Sequence, residues 1–357
     1  MRRPETRRGI QTVILSRRSA AKDPLPIARG TRKSGDPSPS PRLRMTPEAG
    51  GIDKTMPRCV HERIEMIVLL RVAVLALFAT SAVAAGNAPH GHLMLIGGGD
   101  KPLGAMEKFV ELAGGKDAPI VVIPTASQEP DTNEYYTNLF RKDYGSTDVV
   151  VLPIRSKADA NRPELVTAAK RARGIFFGGG DQVRILVALA DTPVLEALRD
   201  AYRNGAVVGG TSAGTACQSE MMITGEGDFK VIQSRSVELW DGLGFLRSDV
   251  IVDQHFIARQ RQNRLLSVLL EHPGHLGIGV DEDTAIWVRP DDTFEVIGAG
   301  SVMVFDPAGA TIQRSPGTPG KELLGVHGMR MHIVLPGEVF DLERRAPVEA
   351  PAKAASR

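Results

Sequence analysis

The sequence predicts an α/β protein with a mainly parallel sheet, helices on both faces, and antiparallel hairpins added in its C-terminal half. Short runs of apolar residues alternate with stretches of helical periodicity in the first half of the chain, and glycine-rich loops follow several of these runs. In the second half, strand-like runs follow one another closely. Continuous apolar strands separated by helices are typical of a parallel sheet whose two faces are both covered.

Five apolar runs are predicted to form the parallel strands. They are HLMLIGGG from His92, APIVVIPTAS from Ala118, DVVVLPI from Asp148, RGIFFGGGDQ from Arg173 and GAVVGGTSAG from Gly205. Helices are predicted between them, for example PLGAMEKFVELAGG and TPVLEALRDAYRNG, the latter ending at a typical Asn-Gly stop. Ligands bind at the carboxyl ends of such strands. Four features are expected there: Gly97–Asp100, Thr125–Glu129, Gly178–Gln182 and Ser212.

The second half begins with a further strand and a helix. VIVDQHF from Val250 predicts the strand, and ARQRQNRLLSVLLEHP predicts the helix. LGIGVDEDTAIWV, TFEVIGAGSVMVFD and MRMHIVLPGEVFDL then predict antiparallel hairpins at the sheet edge. Residues 346–357 read as a low-complexity tail. We therefore expect one folded domain over residues 85–345.

The first 84 residues differ in composition from the rest. Residues 1–65 are rich in Arg, Pro, Ser and Gly, which indicates disorder, or an extension in front of a true start at Met66. Residues 66–84 resemble a signal peptide, with Arg71, an apolar core and a small-residue cleavage site ending at Ala84. The apolar run is shorter than the roughly 20 residues of a transmembrane anchor, the alternative. We expect an exported protein, periplasmic or extracellular.

Charge and cysteine content exclude several function classes. The chain has 44 Lys and Arg against 42 Asp and Glu, but the basic excess lies in front of Ala85, and acidic residues predominate after it. We therefore expect no nucleic-acid partner and, after signal cleavage, no membrane partner. Cleavage would leave Cys217 as the one cysteine, so neither an intrachain disulfide nor a cysteine metal site is expected.

The stretch VVGGTSAGTA joins a predicted strand to a sharp turn. Residues 210–214 have the form Gly-x-Ser-x-Gly, in which a tight strand-to-helix turn presents the serine hydroxyl. A nucleophilic Ser212 needs a general base, a group that orients this base, and hydrogen-bond donors for the oxyanion. The N–H of Ala213 would be one donor, and Gly179 or Gly180 would supply the second. The alternative is a glycine-rich turn in which the serine only caps a helix.

The general base is expected to be a histidine. His255 is the strongest candidate because it ends an apolar strand, although a merely packed histidine is the alternative. His272 and His275 read as a solvated turn without further metal ligands. GGGDKPLGAM lacks the Lys-Ser/Thr ending and the spacing of a phosphate loop. We expect no metal and no cofactor.

Three arginines follow the candidate base. Arg259, Arg261 and Arg264 fall within two turns of the predicted helix. A solvated basic face is the usual explanation for such a run. Arginines beside a candidate base in an otherwise acidic domain could instead bind a substrate carboxylate in a bidentate manner. Both interpretations stay open at this point.

Four motifs in order resemble the cyanophycinase family of the peptidase E group of serine peptidases. They are GGGDQ at 178–182, GGTSAG at 209–214, VDQHF at 252–256 with its trailing arginines, and GIGVDEDTA at 277–285. The resemblance extends from the His92 strand to the C-terminal hairpins. It implies a fold like that of class I glutamine amidotransferases, whose nucleophilic cysteine is replaced here by serine.

The resemblance implies roles for particular residues and a substrate. Ser212 is implied as the nucleophile, His255 as the base, and six residues as the substrate-binding set: Gln182, Asp253, Gln254, Arg259, Arg261 and Arg264. The implied reaction is hydrolysis of cyanophycin, a poly-aspartate with arginine on each side-chain carboxyl, to β-Asp-Arg dipeptides, by a homodimer. The alternatives are a peptidase for other Asp-containing or isoaspartyl peptides and an inactive peptide-binding protein.

The sequence departs from the family at the third member of the expected triad. The resemblance implies a glutamate some 18 residues after the serine, and that position, counted without gaps, is Lys230 here. The acid that orients the histidine must then come from elsewhere. Glu226 and Asp228 in TGEGDFK are the nearest candidates, Glu282 in DEDTA is another, and Glu226 is our prediction.

Overall fold

The computed structural model describes residues 91–227 and 229–349. The predicted signal peptide, the segment before it and residues 350–357 of the predicted tail lie outside these residues. Within the described part of the chain, no helix is both long enough and apolar enough to cross a membrane.

The strands are labelled in chain order. They are β1 (Leu93–Ile96), β2 (Ile120–Ile123), β3 (Val149–Val151), β4 (Gly174–Phe177), β5 (Val207–Thr211), β6 (Met221–Gly227), β7 (Val237–Asp241), β8 (Val250–Gln254), β9 (Leu276–Val280), β10 (Thr284–Val288), β11 (Thr293–Gly298), β12 (Val302–Asp306), β13 (Thr311–Arg314), β14 (Leu324–His327), β15 (Arg330–Val334), β16 (Val339–Asp341) and β17 (Ala346–Pro347).

The α-helices are labelled in the same way. They are α1 (Leu103–Ala113), α2 (Thr132–Asn138), α3 (Pro163–Arg171), α4 (Gln182–Leu189), α5 (Pro193–Arg203), α6 (Ala213–Ala216) and α7 (Gln262–Glu271). A π-helical turn (Leu139–Asp143) continues α2, and a 3₁₀ turn (Asp159–Asn161) precedes α3. The predicted stop of α5 is confirmed, because Asn204 caps this helix and Gly205 follows with φ 92°.

The five predicted parallel strands form one side of a nine-stranded sheet, with β3 at its edge. Its order is β17-β16-β11-β10-β1-β5-β4-β2-β3, and neighbours from β1 to β3 are parallel. Alternate residues of one strand enter separate buried clusters: Leu93 and Leu95 pack on one face, and Met94 and Ile96 on the other. Apolar burial on both faces explains why these strands are continuous apolar runs. The predicted fold class is confirmed.

The C-terminal strands extend this sheet in the antiparallel sense, as predicted. β10 pairs with β1, β11 with β10, and β16 with β11. The predicted tail begins two residues too early, because Ala346 and Pro347 form β17 against β16. The N–H of Val348 also donates to the carbonyl of Val339 at 2.8 Å, so the sheet holds this part of the backbone.

A separate four-stranded sheet carries the VIVDQHF strand. Its order is β15-β12-β9-β8, with β8 and β9 parallel. The expectation of a single sheet extended by hairpins is therefore incomplete. Helix α7 packs its apolar side chains against this second sheet, in a cluster that includes Ile251, Phe256 and Leu265. Two hairpins, β6–β7 and β13–β14, were not predicted.

Helix α7 begins later than the sequence predicts. Residues 257–261 form a turn, and the helix starts at Gln262. The turn is held because the Asp281 Oδ1 atom accepts hydrogen bonds from the N–H groups of Ile257 and Ala258, at 3.0 and 2.9 Å. Arg259 and Arg261 consequently precede the helix and do not share a helical face with Arg264.

Candidate active site

Ser212 occupies the sharp turn that the sequence predicts. It lies between the end of β5 and the start of α6, with φ 53° and ψ −114°. A positive φ is strained for a residue with a side chain, and such strain is found at functional sites. A Cβ atom on Gly210 would lie 2.1 Å from the Gly214 carbonyl oxygen, and one on Gly214 would lie 2.1 Å from the Phe177 oxygen. The two glycines of the motif therefore permit the bend.

His255, which follows strand β8 of the second sheet, contacts the Ser212 hydroxyl. Its Nε2 atom lies 2.7 Å from the Ser212 Oγ atom. The backbone N–H of His255, just past the end of β8, donates to the Gly97 carbonyl at 2.7 Å, which ties this residue to the loop after β1. The imidazole lies directly over Gly98, where a Cβ atom would be 2.1 Å from the ring Cε1 atom. The predicted pairing of serine and histidine is present in the structure.

The carboxylate that contacts the imidazole belongs to Glu282 and not to Glu226. The Glu282 Oε1 atom lies 2.5 Å from His255 Nδ1. Glu226 is exposed in strand β6, where its N–H donates to the Thr224 Oγ1 atom. The prediction of Glu226 is therefore corrected. Because β8 and β9 are parallel neighbours, the residues that follow them lie side by side, although they are distant in sequence.

The neighbours of Glu282 in sequence, Asp281 and Asp283, hold the turn after His255 and the loop after β1 in place. Asp281 holds the turn after His255, as described above. The Asp283 N–H donates to the Gly98 carbonyl at 2.9 Å, and its Oδ1 atom accepts from the Asp100 N–H at 2.6 Å. Three consecutive acidic residues thus bind the 257–258 turn, the imidazole and the loop after β1. The sequence feature that could have identified Glu282 is the acidic run DED at 281–283, directly after an apolar strand.

The environment of His255 favours a neutral imidazole. Burial lowers the pKa of His255, and the positive charges of Arg259 and Arg261 lower it further, whereas the hydrogen bond to Glu282 opposes these effects. A neutral ring that donates from Nδ1 to the carboxylate can accept a proton at Nε2. The arrangement can therefore deprotonate the Ser212 hydroxyl at neutral pH.

The two predicted oxyanion donors flank the serine but differ in their partners. Ala213 is the first residue of α6, so its N–H has no partner within the helix. Gly179 lies beside Ser212, since a Cβ atom on it would be 3.5 Å from the serine Cβ. Its N–H, however, donates to the Tyr136 hydroxyl at 3.1 Å. Burial raises the pKa of Tyr136 to about 12, so this hydroxyl is neutral.

Three residues of the predicted substrate-binding set make hydrogen bonds that hold elements of the fold together. Gln182 is buried, and its Nε2 atom donates to the carbonyls of Ile223 and Thr224 at 2.8 and 2.7 Å, which ties α4 to strand β6. Asp253 and Arg264 are buried and form an ion pair, with Nε 2.7 Å from Oδ2. Their polar groups are thus used within the protein, and their contact with substrate stays a prediction.

The remaining members of the set, Gln254, Arg259 and Arg261, differ from one another in burial. Arg261 is mostly buried, donates to the Gln254 carbonyl at 2.8 Å, and has its pKa lowered to about 10 by burial. The Gln254 side chain is buried, and its Oε1 atom has no hydrogen-bond partner in the described part of the chain. Arg259 is 54% exposed, with its Nε atom 3.5 Å from Glu282 Oε1. Arg259 is thus open to a ligand and adjacent to the Ser-His-Glu cluster.

The chain is similar to known peptidases in sequence and in fold. The model of peptidase family S51 matches residues 93–297. A cyanophycinase of Thermosynechococcus vestitus is 40% identical over 257 residues, which cover 71% of this chain and 79% of the relative. A cyanophycinase of Nostoc sp. is 36% identical over 263 residues, covering 72% and 88%. The crystal structure of a peptidase from an acI-B1 actinobacterium is 26% identical, with a TM-score of 0.52, and the match covers 70% of this chain and 98% of that one. The resemblance seen in the four motifs is confirmed.

The contact between Gly98 and the imidazole generates a prediction. Gly98→Ala should displace the His255 ring and slow the reaction of Ser212 with a fluorophosphonate by about 100-fold or more, the lower range of a general-base contribution. Gly115→Ala is the matched control, because Gly115 also has a positive φ (93°) but nothing within 4 Å of its Cβ position. Equal labelling rates in the two variants would contradict the proposed contact.

Proposed function

Because the chain belongs to peptidase family S51, a family of serine peptidases, we propose that it hydrolyses cyanophycin to β-Asp-Arg dipeptides as a serine exopeptidase. The observation that carries this proposal is the continuous contact from Ser212 Oγ through His255 to Glu282. Support for the substrate comes from relatives named cyanophycinase, most of whose length this chain covers.

The proposed mechanism assigns one step to each group of the cluster. The Ser212 Oγ atom attacks the scissile carbonyl while His255 Nε2 takes its proton, and Glu282 stabilises the resulting imidazolium. The N–H of Ala213 donates to the oxyanion. His255 then protonates the leaving amine, and the acyl-enzyme is hydrolysed by a water molecule that the same imidazole deprotonates. Each proton thus passes through Nε2.

The position of Glu282 bears on the alternative of an inactive binding protein. That alternative rests on Lys230, which, counted without gaps from Ser212, stands where the family resemblance implies a glutamate. Since a different carboxylate lies 2.5 Å from the imidazole, the lysine does not deprive His255 of an orienting acid. The contact therefore favours an active peptidase.

Export and dimer formation are further proposals about this chain. The composition of residues 66–84 supports cleavage after Ala84 and release to the periplasm or the exterior. N-terminal sequencing of the exported protein tests this, and an intact N-terminus would contradict it. The homodimer rests on family resemblance, and sedimentation of the purified protein tests it.

Substitutions at Ser212, Glu282 and Glu226 test the proposed function. The protein should release β-Asp-Arg from cyanophycin, and Ser212→Ala should abolish this release. Glu282→Gln should lower kcat by roughly 100-fold or more, because the amide cannot stabilise the imidazolium. Glu226→Gln is the matched control and should retain the wild-type kcat. The assay measures dipeptide release by chromatography.

Two results would contradict separate parts of the proposal. A loss of activity in Glu226→Gln with full activity in Glu282→Gln would overturn the assignment of the orienting acid. Cleavage of isoaspartyl or other Asp-containing peptides without cleavage of cyanophycin would overturn the substrate and leave the serine mechanism intact.

The lowered pKa of His255 predicts the acidic limb of the pH profile. The imidazole acts as a base only when neutral, so kcat/KM should fall as pH drops through the His255 pKa, at a midpoint below the usual value of 6.5. Arg259→Gln removes one positive charge that lowers this pKa, so its midpoint should move to higher pH. Arg171→Gln, exposed on α3, should keep the wild-type midpoint. A downward shift in Arg259→Gln would contradict this account.

A further inference from the structure

The side chain of Tyr136 lies against the loop that follows β4, which we call the glycine loop (residues 178–180). Its hydroxyl oxygen accepts a hydrogen bond from the Gly179 N–H at 3.1 Å, and a Cβ atom on Gly178 would lie 2.9 Å from the same oxygen. The ring is buried and packs on Phe176 of β4, with the ring centres 5.9 Å apart. Tyr136 therefore contacts both the strand and the first two residues of the loop that the strand leads into.

A second contact holds the end of the glycine loop. A Cβ atom on Gly180 would lie 2.3 Å from the Ala126 carbonyl oxygen, so the backbone of the loop is packed closely against the segment after β2. Between these two contacts, Gly179 is the residue next to the nucleophile, since a Cβ atom on it would be 3.5 Å from the Ser212 Cβ atom. The Tyr136 hydroxyl at the start of the loop and the carbonyl at its end thus set the position of the loop relative to the serine.

The backbone N–H groups of this segment differ in whether they have an acceptor. Those of Gly178 and Asp181 donate to backbone carbonyls, both at 3.0 Å, and that of Gly179 donates to the tyrosine. The N–H of Gly180 has no acceptor in the described part of the chain, and this residue is exposed. An oxyanion hole works through donors that are unoccupied and fixed in place before the reaction begins. Of the two glycines that the sequence suggests as second donor, Gly180 is therefore the one whose N–H is available.

We propose that Tyr136 is a positioning residue for the oxyanion hole: its hydroxyl fixes the Gly179 N–H and thereby directs the N–H of Gly180 toward the oxyanion, beside that of Ala213. This inference rests on the proposed function and specifies how its transition state is stabilised. Tyr136 acts through the glycine loop and not on the substrate, because its oxygen faces the loop backbone. Without the hydroxyl, the Gly179 N–H loses its acceptor, and the loop moves to restore one.

Removal of the hydroxyl tests the positioning role. Tyr136→Phe keeps the buried ring and should lower the rate constant for phosphonylation of Ser212 by a fluorophosphonate by about 10-fold or more, because the phosphoryl oxygen uses the same N–H donors. In the dipeptide-release assay, kcat should fall by a similar factor while KM stays within about 2-fold of the wild-type value. The acidic midpoint of kcat/KM should not move, because the substitution leaves the groups around His255 unchanged.

Tyr135→Phe is the matched control. Tyr135 is the preceding residue of α2, is 48% exposed, and its hydroxyl accepts a hydrogen bond from Lys101 Nζ at 2.8 Å. This variant also loses one tyrosine hydroxyl, but none that contacts the glycine loop, and should keep the wild-type rate constants. The labelling rate constant does not depend on how much of the protein is folded, so a partial loss of folding in Tyr136→Phe cannot imitate the effect.

The outcomes separate the positioning role from the proposed function. Equal rate constants in the two variants would overturn the role of Tyr136 and leave the serine mechanism intact. A faster reaction of Tyr136→Phe would also overturn it, because the hydroxyl would then withhold the Gly179 N–H from the oxyanion. If the wild-type protein is phosphonylated but does not cleave cyanophycin, the substrate is wrong, and the phosphonylation rates alone decide the role of Tyr136. Folded wild-type protein whose Ser212 does not react would overturn the proposed function and the positioning role together.

Discussion

The candidate active site depends on one short turn, residues 281–283, between strand β9 of the second sheet and strand β10 of the main sheet. Each of its three carboxylates binds a different segment: Asp281 the turn after His255, Glu282 the imidazole, and Asp283 the loop after β1. Ser212 comes from the main sheet and His255 from the second sheet. The turn therefore sets the distance between nucleophile and base, and the closely packed glycine loop after β1 leaves the ring little room to move.

The predicted substrate-binding residues differ in their burial and in their partners within the protein. Asp253 and Arg264 are fully buried and form an ion pair. Both partners must be present and well oriented, because a single buried charge without its partner is strongly destabilising. They hold β8 to α7 and, through Phe229, the loop that carries Lys230. Arg259, in the exposed turn, keeps its guanidinium available. The cluster of arginines in the sequence thus contains a buried member, Arg264, that builds the site and an exposed member, Arg259, in the turn.

The features that depend on local sequence patterns could be predicted from the sequence. The five parallel strands are apolar runs bounded by turns, and the Gly-x-Ser-x-Gly bend is encoded by glycines whose neighbours exclude a Cβ atom. The choice of Glu226 was wrong because closeness in sequence was taken for closeness in space. Glu282 reaches His255 through the parallel pairing of β8 and β9, which depends on contacts that no single stretch of sequence shows. The separate second sheet was missed for the same reason.

We infer that Glu282 acts on Ser212 only through His255, because its Oε1 atom contacts the imidazole at Nδ1. A double-mutant cycle on the rate of Ser212 phosphonylation tests it most directly, comparing His255→Ala, Glu282→Gln and the protein with both changes. Residues that act as one unit give strongly non-additive effects. The double variant should react no more slowly than His255→Ala alone. Losses that multiply would instead show that the carboxylate acts independently of the imidazole.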